Sequence, residues 1–177
     1  MKSSYGDGDV VKEILLLGDK RLYERSNEVN IGEMDFISNM VLDLHDTLLA
    51  FRKRFGCGRA IAAPQIGVFK RVIYMNIEEP HENSGSVTFI NPVMEFPNNE
   101  KITILDDCMS FPGLFVNVER YEECIIHYKD IEWNDCVMKV KDDIAELLQH
   151  EYDHLDGILA TMRAMDNKSF VMRKLGF

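Results

Sequence analysis

Apolar and polar positions along the chain fall into two rhythms, and each predicts its own kind of element. Across "MDFISNMVLDLHDTLLAFRKRF", Met34 to Phe55, the apolar residues Phe36, Met40, Val41, Leu44, Leu48, Leu49 and Phe51 recur at close to 3.6 residues. That spacing predicts an amino-terminal amphipathic helix ended by Gly56 and Gly58, with His45 at the border of its apolar stripe. The middle of the chain turns to short β-branched and aromatic runs separated by Pro and Gly: "RVIYMNI", "SVTFINPV", "KITIL", "LFVNV" and "ECIIHYKD". These predict strands of mostly antiparallel sheet. From Lys141 to Gly157, "KDDIAELLQHEYDHLDG" returns to helical spacing, with Ile144, Leu147, Leu148, Glu151 and His154 near one face and Gly157 as its stop. A helix, several strands and a second helix predict an α+β fold, with antiparallel sheets packed around the carboxyl-terminal helix. The final "KSFVMRKLGF" is compatible with a helix on the body or with a loose tail.

Composition narrows the picture. With 177 residues, 46% of them hydrophobic, the chain can bury one substantial core, so a single domain over 1–177 is expected. A formal net charge of -10, with Arg52-Lys53-Arg54 the one short basic run, argues against direct nucleic-acid reading. The apolar run Ile14 to Leu17 is too brief for a signal peptide or a membrane span, which predicts a cytoplasmic protein. Cys57, Cys108, Cys124 and Cys136 form no CxxC pair, and the default for each is a reduced thiol.

The second helix carries the chemistry. His150 and His154 are four residues apart, so their imidazoles project from one face a turn apart and can share a metal ion, while Glu151 can reach a water on it. The plain alternative is a solvated acidic helix that happens to contain histidines. A catalytic site of this kind takes a third protein ligand and keeps a position open. Proteases with HExxH find theirs downstream, yet the 23 residues after His154 contain neither Glu nor His. Upstream, His81 sits in loop-like "EEPHENSG" and His127 in a strand, so Cys108 in "LDDCMSFPG" is the remaining candidate.

Three separated motifs then resemble the peptide deformylase family, in that family's order. "GRAIAAPQIGV", Gly58 to Val68, is similar to GxGxAAPQxG; "DDCMS", Asp106 to Ser110, resembles EGCxS; and "QHEYDHLDG", Gln149 to Gly157, matches QHExDHLxG. Weaker similarity extends through "ILLLGDKRL", "FINPV" and "SFPGLFVNVER". The resemblance implies metal-dependent removal of the N-formyl group from the methionine of new polypeptides, with a formylated nascent peptide or small N-formyl substrate as partner and the ribosome as a further one. It implies Cys108, His150 and His154 as ligands of one divalent ion, commonly Fe(II), with Zn(II) or Ni(II) able to replace it. It implies Glu151 as general base, with Gln65 and the backbone N–H of Met109 as oxyanion donors. Asp153 resembles a residue supporting the ligands, paired with Arg120, although a surface ion pair is an equal alternative.

Two departures fall in the segments that flank the family's peptide groove. A small-aliphatic-Gly pattern after Gly58 becomes Arg59-Ala60, and Glu-Gly before the cysteine becomes Asp106-Asp107. Gly58, Arg59, Ala60 and Asp107 are therefore the expected substrate-binding residues; either Arg59 and Asp107 form an ion pair that reshapes the groove, or both side chains point to solvent, since alternate strand residues face opposite ways. Such a groove leaves open a hydrolase for a different N-formyl or N-acyl substrate. An inactive metal-binding homologue is the third reading, and the retained Glu151, Gln65 and ligands argue against it.

Overall fold

The computed structural model describes residues 11–174. The single-domain reading over 1–177 and the amino-terminal reading thus extend, at residues 1–10 and 175–177, outside the described residues. Helix α1 spans Met34–Phe55, the predicted stretch, and stops where Gly56 enters the left-handed region. Its buried face is Ile37, Met40, Leu44, Leu48 and Phe51 with Thr47. Phe36 corrects the expected stripe: it is 52% exposed, and Ile37, at 0%, takes its place. Ile37 lies seven residues, close to two turns, before Leu44, which puts it back in phase with the packed face.

Strands β1 (Ala60–Ala62), β2 (Val72–Ile77), β3 (Gly85–Glu95), β4 (Lys101–Asp107), β5 (Leu114–Tyr121), β6 (Glu123–Lys129), β7 (Asp135–Lys141) and β8 (Phe170–Met172) form two antiparallel sheets. One has the order β1-β2-β3-β6-β7, the other β4-β5-β8. The five runs read from sequence are β2 to β6. Three strands were not expected. β7 alternates half-buried Cys136, Met138 and buried Val140 with outward residues, a period-2 signal in the sequence. β1 and β8 have three residues each, too short to show a period. The tail "KSFVMRKLGF" is thus neither helix nor loose at Phe170–Met172, because that segment pairs with β5 at Leu114 to Val116.

Helix α2, Asp142–Leu155, lies between the sheets, and the period-2 facing of β2 explains how. Ile73, Met75 and Ile77 pack with Ile144, Ala145 and Leu148 of α2, while Val72 and Tyr74 pack with Ile37, Leu44 and Leu48 of α1. The five-stranded sheet therefore has a helix on each face, and α2 meets β5 of the second sheet on its other side. Gly157 turns the chain sharply after α2 at φ 71°, and a Cβ there would run into the Tyr23 carbonyl. Among the described residues no helix is long and apolar enough to cross a membrane.

Candidate metal centre

Four segments deliver the site. α2 presents His150 and His154 one turn apart; β4 ends at Asp107 and hands the chain to Cys108; β1 forms a wall; and the 3-10 turn Ala63–Ile66 that follows it carries Gln65. The amino-terminal segment ties two of these together. Leu15 N–H donates to the Gln65 carbonyl and Leu17 N–H to the Ser110 carbonyl, both at 2.8 Å. The apolar "ILLL" run is thus a strap across two motifs.

The ligand atoms of Cys108, His150 and His154 lie within 4.8 Å of one another, and all three residues are buried. Cys108 Sγ is 3.2 Å from His154 Nε2. His81 and His127 stand apart, the first bonded in its own loop to Asn83 and the second beside Glu95. Gln65 is 1% exposed. Its Oε1 accepts from the Ala62 N–H at 2.9 Å, which directs Nε2 at Cys108 Sγ, 3.6 Å away, and at Ser110 Oγ, 3.2 Å away.

Behind the histidines runs a chain of alternating charge. His150 Nδ1 lies 2.9 Å from Asp106 Oδ1, a close electrostatic contact that is not aligned as a hydrogen bond. Asp106 accepts from Arg120 Nη2 at 2.8 Å, Arg120 Nη1 donates to Asp153 at 2.5 Å, and Arg163 closes the row on Asp153. Arg120 is 3% exposed and Asp153 5%, so this is a buried pair and the surface alternative is corrected. Sequence reasoning missed Asp106 as part of the site, although its place two residues before Cys108 puts it beside the ligand set.

The local fields follow from that row. Burial works to raise the Asp106 pKa, but His150 and Arg120 outweigh it and hold the carboxyl down at about 2. Burial works to lower His150, yet the neighbouring Asp106 and the Cys108 sulfur drive it well above the ordinary imidazole range. His154 goes the other way, pushed down by burial and by His150. Glu151, 3% exposed, is raised to about 7, first by burial. Its Oε2 and the Nδ1 of His154 have no partner among the described residues.

These observations fit a divalent ion. A thiolate and two imidazoles are the donor types that bind borderline metals, and the field of Asp106 favours positive charge on the His150 ring, whether proton or metal.

A cavity of ≈ 330 Å³ opens beside the cluster and brings together all four expected substrate-wall residues, Gly58, Arg59, Ala60 and Asp107, with Cys108, Met109, His150 and Glu151. Gln65 and His154 touch Cys108 without lining this cavity. Gly58 sits at φ 119°, and a Cβ there would press on Leu48 and Phe51 at 3.3 and 3.4 Å. Neither alternative for Arg59 holds: it does not pair with Asp107, nor is it left free in solvent. Arg59 Nη1 binds Asp143 at 3.0 Å and Nη2 binds Glu146 at 2.8 Å, because the β1 edge runs beside the first turns of α2. Glu146 was missed, yet it stands four residues before His150 and so on the same helix face. Gln149 clips α2 to β5: Oε1 accepts from Tyr121 N–H and Nε2 donates to the Tyr121 carbonyl.

The family model described as "Polypeptide deformylase" matches residues 11–170. A peptide deformylase from Pseudothermotoga lettingae is 34% identical over 165 residues, covering 93% of this chain and 90% of that one. One from Pelagibacter ubique is 33% identical, with 93% of each covered. Among solved structures, a peptide deformylase from Synechococcus elongatus in complex with actinonin superposes with a TM-score of 0.79 at 25% identity, covering 94% of this chain and 85% of that one. The peptide deformylase from Ehrlichia chaffeensis gives 0.78 at 32% identity, with 90% of each covered.

Proposed function

The chain belongs to the polypeptide deformylase family, and from that membership we propose how it carries out metal-dependent removal of the N-formyl group from nascent polypeptides, with formyl-methionine at the amino terminus as substrate. One observation carries the assignment of residues: Cys108, His150 and His154 converge beside a buried Glu151 whose Oε2 has no partner among the described residues, and Cys108, His150 and Glu151 line a cavity. In this reading those three residues hold one divalent ion, Fe(II) in the cell, with Zn(II) or Ni(II) able to occupy the same donors. When bound, the ion supplies positive charge that acidifies water and polarises the formyl carbonyl.

The chain's own residues do the rest. The Asp106 carboxylate faces His150 and Arg120 holds Asp106, so these residues would steady the ligands that hold the ion. Glu151 takes the proton from the attacking water and returns it to the amine nitrogen as the C–N bond breaks, giving formate and a free amine. Negative charge growing on the formyl oxygen is met by Gln65 Nε2, already aimed by the Ala62 N–H, and by the Met109 backbone N–H. Gly58, Arg59, Ala60 and Asp107 line the peptide's path. The chain acts as one catalytic domain, in the cytoplasm, on chains leaving the ribosome.

The test is formate release from formyl-Met-Ala-Ser by Fe(II)- or Ni(II)-loaded protein. Saturable formate production, lost on chelation and restored by metal, is expected. A folded, metal-loaded protein that releases none would overturn the assignment.

A second reading, a hydrolase for a different N-formyl substrate, is favoured by one observation: charged Arg59 and Glu146 form part of the cavity wall.

A further inference from the structure

The Arg59–Glu146 pair holds no metal ligand and has little reason to exist for stability. Arg59's side chain is 40% exposed, and pairs of that exposure add little to a fold. Its position is what matters. Glu146 stands one turn before His150 on the same face of α2, only 14% exposed, with its Oε1 2.8 Å from Arg59 Nη2. Both line the cavity whose inner end is Cys108, His150 and Glu151, so the side chain next to the carbon under attack enters beside them. Asp107 adds a second carboxylate to the lining, and Asp143, also bound to Arg59, a third beside it.

An apolar wall would reject a polar side chain, because the entering group would lose its water and find no partner. This wall supplies partners: carboxylate oxygens from Glu146 and Asp107 for an amide or ammonium donor. Leu105, Met109 and Leu147 still offer apolar contact to a thioether. Three carboxylates against one guanidinium also leave excess negative charge, which repels an acidic side chain.

We propose that this cavity admits a first side chain carrying hydrogen-bond donors, amide or ammonium, about as well as methionine, and excludes an acidic one. Arg59 and Glu146 are the specificity-determining residues. The proposal rests on the deformylase reading above and extends its substrates to N-formyl peptides with polar first residues.

The test compares kcat/KM for formate release from formyl-Xaa-Ala-Ser, with Xaa as Met, Gln, Lys or Glu, on metal-loaded protein. Gln and Lys are expected within about fivefold of Met, and Glu lower by about tenfold or more; an apolar pocket would reject Gln by roughly 100-fold. In the Arg59→Ile, Glu146→Leu double variant the Gln-to-Met ratio is expected to fall by about 30-fold. Should that variant fail to fold, Glu146→Gln should lower Lys several-fold relative to Gln. Calorimetric binding of the products Gln-Ala-Ser and Met-Ala-Ser to the metal-loaded parent should follow the same order. A parent that rejects both Gln and Lys by about 100-fold, or a folded double variant with an unchanged ratio, overturns the proposal. Formate from formyl-Met alone overturns this inference and leaves the deformylase reading standing; formate from no peptide overturns both.

Discussion

The two helices on either face of the five-stranded sheet are built on different physics. α1 is the longer, with 22 residues, and buries only one stripe of six, five of them apolar. α2 has 14 residues and buries ten, among them Gln149, His150, Glu151, Asp153 and His154. A helix with one apolar stripe is held by removal of hydrocarbon from water and leaves its outer face to charges. A helix buried nearly all round with polar side chains must find each of them a partner, and α2 does so with Tyr121, Asp106, Arg120 and Cys108. The Glu151 carboxylate, which has no partner among the described residues, is the exception, with the Nδ1 of His154 also left unpaired there. Stability and chemistry are thus divided between the helices, and the exception is where a reacting group belongs.

That division can be tested from its strongest consequence downward. Glu151→Gln should lower kcat/KM by about 10² to 10⁴ while metal content and melting temperature hold; an unfolded variant would break the division, since it would give Glu151 a structural role. Arg120→Leu leaves Asp106 and Asp153 as buried charges without their shared partner, and should cost about 3–5 kcal/mol by urea unfolding of the chelated protein. Leu44→Ala, in the stripe of α1, should cost about 2–5 kcal/mol yet leave kcat per folded molecule unchanged, since Leu44 does not line the cavity.

Acidification probes the α2 side through Asp106. The Asp106 carboxyl sits at about 2 in the fold against an ordinary 3.8, so its ion pairs stabilise fully above the ordinary value and are lost as pH falls toward 2. This contribution is about 2 kcal/mol, and the melting temperature of chelated Asp106→Asn protein should vary less between those pH values than that of the parent. The smallest effect should come from Arg163→Ala. Arg163 is 43% exposed where it meets Asp153, and its loss should cost under about 1 kcal/mol with metal retained, because Arg120 still neutralises that carboxylate.

Legibility in the sequence followed the same division. α1 could be read to its ends, because a long apolar period with a glycine stop is a local property. β2 to β6 were legible for the same reason, whereas β1 and β8 exist only because neighbours offer an edge to three residues each. β7 carried a readable alternation that its charged, half-exposed surface obscured. At the candidate site, the grouping of Cys108, His150 and His154 was legible from spacing and elimination, and the place of Gln65 beside Cys108 from the motif resemblance. Glu146 and Asp106 were not, since a carboxylate beside a ligand is recognised only by what it touches. Arg59 had two acidic partners on α2 within reach and one opposite on β4, and sequence alone could not rank them.

The amino-acid sequence by itself therefore determined the α+β class, the two helices and the residue types able to bind a borderline metal, because periodicity and ligand chemistry reside in single segments. Tertiary structure alone decided which acid answers which base. It directed Asp106 to His150 and Arg120, Asp153 to Arg120 and Arg163, and Arg59 to Glu146 and Asp143 rather than to Asp107. Electrostatic pairing depends on distance and burial between residues remote in the chain, and those are fixed only when the sheets close around α2.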